Sequence, residues 1–413
     1  MPALEERTEW LRSLCAASSG DVVLLSGHGP DNKEYQEANI LFRDQDGAAR
    51  FDKEHFGFSD GMGDPVFEGQ FGHDPELGAL RVIGRGRLVD AALAKNPKQR
   101  WEPIETGEFL LGHVDESQEL PEAPRPASFM RNGTFMAYRK LHQNVRLFND
   151  YVEGQANIYL RTMKLSDDRL PEAIETIKAK MVGRWSDGVP LMVAPTRTEW
   201  ISFHAMWKAK EGEKSYAYKT SSQYPNGYRH DPAYQRAIVD FEYINDPEGV
   251  RCPLGAHIRR SNTRDMLDPT PKGTKGKLIG SSPLDKRRRI LRRGMSYGRY
   301  EASPASDRRE SGIIFIALCA SLFRQFEFMQ QQWINFGMDF AAGNDSCPIV
   351  GNRRAADRSM KVKHVIPSDP GGDAPPFICS DLPQFVETRG GDYFFVPSLT
   401  SLRMIAAGTV DPT

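Results

Sequence analysis

The sequence predicts an α+β chain, a mixture of strands and helices built as two or three structural units. Three observations carry this expectation. At 413 residues the chain exceeds one average domain and has ample apolar surface for a core. In the stretch 312–335, β-branched Ile313, Ile314 and Ile316 favour a buried strand, and Ala320–Gln332 then places helix formers and aromatic residues at helical spacing. Elsewhere, strand-patterned and helix-patterned segments are separated by loops rich in Pro, Gly, Glu and Lys.

In chain order, MPALEERTEWLRSLCAA reads as a short amphipathic helix with no basic region followed by an apolar run, so no secretory signal is evident. Asp21–Leu25 reads as a strand, Ala173–Val182 as a helix and aromatic-rich Trp200–Trp207 as a strand. Asp115–Ser128, Thr263–Arg289 and Pro367–Pro376 read as linkers or long surface loops. The longest apolar run, Gly312–Leu322, falls well short of the roughly 20 residues of a membrane span.

The formal net charge is −1, which argues against a nucleic-acid partner, and the basic run Lys286–Arg289 reads as solvated charge. Cys15, Cys252, Cys319, Cys347 and Cys379 are odd in number and lack CxxC spacing. A reduced, cytoplasmic setting is expected. The absence of a GxSxG elbow and of an HExxH helix excludes the common hydrolase signatures.

His257 draws attention by its setting, GVRCPLGAHIRRSNTRD at 249–265. Gly255 and Ala256 leave room for a flat group to approach the backbone, and a neutral imidazole is the commonest protein ligand for haem iron. Arg259 and Arg260 are suited either to anionic groups such as porphyrin carboxylates or to plain solvation. Asp60 lies in the glycine-flanked turn Gly57–Gly61, where an isolated aspartate reads as an ordinary turn residue.

Together these segments resemble a known family. CPLGAHIRRSNTRD is similar to the proximal-histidine segment of dye-decolourising peroxidases, and HFGFSDG at 55–61 resembles that family's GxxDG motif. GEFLLGH, RNGTFMAYRKL, VGRWSDGVPL, ILRRGMSYG and RGGDYFFVPSLTSLR extend the resemblance from about residue 45 to near the C-terminus. It implies ferredoxin-like antiparallel sheets flanked by helices, in a dimeric α/β-barrel-like arrangement, with haem b held mostly by the C-terminal unit. It also implies reduction of hydrogen peroxide and one-electron oxidation of aromatic or dye-like substrates. By the same resemblance, His257 is the axial iron ligand, Asp60 the distal acid–base group and Arg292 the distal arginine, with Arg293 its rival. Ile313 and Phe315 match apolar positions on the distal haem face. Asp345, with Asp339 nearby, matches the acidic partner of the haem histidine. The chemistry agrees: cleaving peroxide needs a group that takes a proton from one oxygen and returns it to the other, and positive charge where the departing oxygen becomes negative.

One departure stands out, because only 59 residues precede Asp60, fewer than the family's first unit implies. The expected division is a shortened N-terminal unit at 1–190 carrying the GxxDG motif and a haem-binding unit at 191–413. A first sheet short of strands would expose an edge for a second copy or a partner chain to cover. Two other functions stay open, a haem carrier or sensor and a haem-bearing subunit of a hetero-complex. Bulky reductants would need a surface relay, with Tyr297, Tyr300, Trp333 and Tyr393 as the candidates.

Overall fold

The computed structural model describes residues 2–25, 35–38, 42–43, 49–50, 53–71, 75–90, 92–93, 100–123, 125–210, 227–269, 272–274, 277–353, 362–368 and 374–409. Its main sheet has four antiparallel strands, β1 (Thr134–Gln143), β2 (Leu291–Tyr297), β3 (Gly312–Cys319) and β4 (Val386–Val396), in the spatial order β4-β1-β3-β2. The helices that matter here are α1 (Pro2–Ala17), α2 (Val145–Thr162), α3 (Leu170–Val182), α4 (Arg197–Lys210) and α5 (His257–Ser261). With α2 following β1, and a π-helical stretch at 322–334 following β3, the sheet has the βαββαβ order of a ferredoxin-like unit. The fold is therefore α+β, as expected.

The barrel-like pair of sheets is not found among the described residues. Every other described strand is two or three residues long and pairs only into a two-stranded ribbon, too little backbone to close a barrel. The sheet also takes β1 from before residue 190 and its other three strands from after it.

Helix α2 forms because Val145, Phe148, Val152, Ala156 and Leu160 fall on one face at three- and four-residue spacing, and all are buried. They pack against Ala173, Ile177 and Met181 of α3 and against Phe56, Phe58 and Phe385, with the rings of Phe56 and Phe148 stacked at 4.2 Å. Each of the larger apolar side chains, Val, Leu, Ile, Phe and Met, contributes about 1.5–3 kcal/mol on full burial. Helix α3 stops at Gly183, whose φ of +96° suits a left-handed cap. A Cβ there would come within 2.5 Å of Ile258, so this glycine lets the end of α3 meet α5.

Several local expectations need correction. The N-terminal helix, the 173–182 helix and the strand-then-helix at 312–335 are present. Trp200–Trp207 is helical, within α4, because Trp200, Phe203, His204 and Trp207 repeat at helical spacing and their rings meet on one side. Asp21–Leu25 forms no strand; nothing among the described residues pairs with it. The basic run at 286–289 is not simply solvated: Lys286 pairs with Glu116, Arg287 with Asp115, and Arg289 is buried. Part of the loop at 367–376 lies outside the described residues.

Candidate active site

The turn that carries Asp60 is tied down on both sides. Gly57 and Gly61 take φ values of +89° and +75°, which cost a side-chain-bearing residue more than glycine. Inside the turn, the buried carboxylate of Glu54 accepts the N–H groups of Phe56 (2.9 Å) and Phe58 (2.8 Å) and the amide of Gln143. Outside it, Ser59 N–H donates to the Ser186 carbonyl at 2.8 Å, and the Lys53 ammonium donates to the carbonyls of Gly57 and Ser186. Asp60 is thus fixed between this turn and the VGRWSDG segment.

Across from it, Arg292 extends from β2 and donates to Asp60 Oδ1 at 2.5 Å. About a third of each side chain remains exposed, 30% for Arg292 and 33% for Asp60. Burial alone would raise the Asp60 pKa. The Arg292 guanidinium, the Gly61 N–H and the nearby charge of His257 outweigh it and hold the carboxyl below its usual range. Arg292 shifts the opposite way, since the pull of Asp60 exceeds its own desolvation. Arg293, the rival, points to Asp64 instead; neighbours along a strand face opposite sides.

Asp60 and Arg292 line a cavity of about 80 Å³ together with Glu54, Gly294 and Ile313. An added Cβ at Gly61 would meet nothing within 4 Å, so this side of the turn opens into free space. Ile313 lies in the cavity wall, whereas Phe315, two residues along the same strand, packs towards Phe326 at a ring separation of 6.2 Å. Glu54 was not singled out in the sequence. Its position at the start of EHFGFSDG, among backbone donors of a tight turn, was the available signal.

On the other side, His257 opens the five-residue helix α5 after Ala256. Its Nδ1 lies 3.3 Å from the Cys347 sulfur. No partner of Nε2 is present among the described residues. The acidic partner expected at Asp345 is not what faces this ring: the Asp345 carboxylate pairs with the Lys363 ammonium at 3.3 Å, and Asp339 accepts from the Trp333 indole. Burial raises the Cys347 pKa, but the charge and hydrogen bond of His257 reverse the effect and bring it down to about 6. Arg259 and Arg260 are fully buried, so neither is plain solvated charge. Arg259 binds Asp246 at 2.7 Å and lies over Tyr243; Arg260 donates to the carbonyls of Trp333, Phe336 and Asp345. Carbonyls and aromatic faces here replace the water that the sequence suggested.

Of the expected relay residues, Tyr297 and Trp333 are buried, while Tyr393 is partly exposed and donates to Glu327.

The donor set suits an iron porphyrin: an imidazole nitrogen without a partner on one side, and an ionised carboxylate with an arginine on the other. The cavity beside the carboxylate is large enough to admit a molecule the size of peroxide. Among the described residues no cluster of three or more His, Cys, Asp or Glu offers a rival metal site, and no helix there is long and apolar enough to cross a membrane.

No protein-family model matches the chain. It is similar to a dye-decolorizing peroxidase of Mycena epipterygia, 28% identical in an alignment of length 365 that covers 86% of this chain and 57% of the relative. A multifunctional dye peroxidase of an Amycolatopsis species is also 28% identical, over 85% of this chain and 61% of its own length. Among solved structures, a variant of the Pleurotus ostreatus dye-decolorizing peroxidase superposes with a TM-score of 0.57 at 23% identity, covering 89% of this chain and 63% of that one. An ancestral D-type enzyme gives 0.57 at 24%, covering 88% and 64%. The chain spans about three-fifths of the length of these relatives.

Proposed function

We propose that the chain is a haem b-dependent peroxidase of the dye-decolorizing type, a reading that its similarity to dye-decolorizing peroxidases over 85–86% of its length supports. It would reduce hydrogen peroxide and oxidise aromatic or dye-like substrates one electron at a time. The observation that carries this reading is the ionised Asp60–Arg292 pair on a small cavity, with a ligand-competent histidine close by. His257 would hold the iron through Nε2, and bound haem supplies the redox metal at which the peroxide bond is cleaved.

The remaining chemistry belongs to the protein. Asp60, kept ionised by Arg292, accepts a proton from one peroxide oxygen and returns it to the other. Arg292 stays charged throughout and stabilises negative charge on the departing oxygen. Ile313 presents only hydrocarbon to the cavity and helps exclude water, while Glu54 holds the turn that aims Asp60. A solved dye-decolorizing peroxidase of the same fold is complexed with 2,6-dimethoxyphenol, which supports a phenolic class of reductant. Five free thiols fit the cytoplasmic setting we propose.

The test is the absorption spectrum of the haem-loaded protein before and after one equivalent of hydrogen peroxide. A histidine-ligated ferric spectrum that changes rapidly on addition supports the peroxidase. Failure to bind haem overturns it. A second reading is a haem-bearing subunit of a larger complex. Bound haem without any response to peroxide would support that reading, or a carrier, over an independent enzyme.

A further inference from the structure

We propose that Cys347 is the positioning residue of the proximal side, its sulfur accepting the Nδ1–H of His257 and so setting the orientation and donor strength of the ring. This deepens the haem-ligand reading of His257 and rests on it.

The argument begins with the imidazole. A ring that gives Nε2 to a metal keeps its proton on Nδ1, and that N–H needs an acceptor when it is enclosed by protein. The acceptor present is Cys347 Sγ at 3.3 Å, within the range of a hydrogen bond to sulfur, and the cysteine is fully buried. The carboxylate two residues earlier, Asp345, is turned away to Lys363.

The sulfur is also held in place. Cys347 N–H donates to the Ile334 carbonyl at 2.7 Å, and its own carbonyl accepts from Gly351 N–H at 3.0 Å and from Arg353. A Cβ on Gly351 would approach the Cys347 carbonyl oxygen to 2.6 Å, so the turn beyond the cysteine is closed tightly. Arg260, three residues after His257, donates to the Asp345 carbonyl at 2.6 Å. The helix bearing the imidazole and the loop bearing the sulfur are therefore joined at two points, the ring contact and the guanidinium, and neither side chain can turn without breaking one of them. The sulfur thus supplies the acceptor that the ring N–H needs and holds the ring in one orientation.

The experiment compares haem-loaded wild-type protein with Cys347→Ala and Cys347→Ser by resonance Raman of the ferrous iron–histidine stretch and by reduction potential. In the alanine variant the stretch should move to lower frequency and the potential upward, and haem should dissociate about 10-fold faster. Serine, a small hydroxyl acceptor, should recover part of each shift. If alanine fails to fold, the serine variant decides, because a different acceptor must still move the stretch. Stretch and potential unchanged in every variant that folds would overturn the proposal. His257→Ala separates the two levels: if it leaves the haem spectrum unaltered, the ligand reading itself fails, whereas its loss with silent Cys347 variants removes only the role of the sulfur.

Discussion

The two sides of the candidate site are built from opposite materials. On the distal side an ion pair joins a tight turn to a strand more than 200 residues away, with both partners about one-third exposed to a cavity. On the proximal side an imidazole meets a fully buried sulfur, and the charges around it are spent on carbonyls and rings. On the proposed reading, the contrast follows from what each side has to do. Protons must enter, change hands and leave where peroxide is cleaved, so charge there stays accessible. A ligand to iron has to keep one orientation, and burial with directed contacts provides that.

The sharpest way to break this comparison is Asp60→Asn, which keeps the size of the side chain and removes its basicity. The peroxide-induced spectral change should slow by about 10²–10⁴-fold while haem remains bound, as read by stopped-flow absorbance. An unchanged rate would take proton transfer away from this residue.

Arg292→Leu sharpens the comparison through pH. In the proposed mechanism Asp60 is a base while ionised, that is, above its folded pKa, and Arg292 keeps that value below the ordinary carboxylate range. The wild-type rate should therefore persist to low pH and fall only as pH drops through the depressed value. Without the guanidinium the largest force opposing desolvation is gone and the acidic limb of the profile moves to higher pH, with a further loss of about 10²–10³-fold in the plateau from missing charge stabilisation. A limb that stays in place would show that Asp60 does not govern it.

Glu54→Gln should have the smallest effect. One acceptor oxygen becomes an NH₂ group facing backbone donors, which costs about 1–3 kcal/mol and lowers the thermal midpoint. The peroxide rate should change only a few-fold, because Asp60 and Arg292 both remain. A rate loss as large as that of Asp60→Asn would make Glu54 a participant in proton transfer.

Much of this site could be read in the sequence as contiguous segments. The turn at 55–61 and the stretch around His257 each carry their glycines and functional side chain within a dozen residues, and the patterned runs at 173–182 and 312–335 announce their own structure. Properties that depend on distant partners could not be read in this way. Arg259 and Arg260 look like solvated charge until Asp246, Tyr243 and the carbonyls at 333–345 surround them. Aromatic content suggested a strand at 200–207, although the spacing of those same rings is helical. In the sequence Cys347 is one of five cysteines without CxxC spacing, and its place beside His257 depends on a contact across 90 residues.

Arg259, Arg260 and Arg264 radiate from the His257 segment, each lying over a ring of Tyr243, Phe340 or Phe241. A helix of five residues has no independent stability in water, so these spokes make the order of α5 a property of the whole interior. The segment has no low-energy route by which to fray ahead of the core. Its amides should exchange with solvent only when the molecule opens globally, and heat would release His257 and the fold in a single cooperative step.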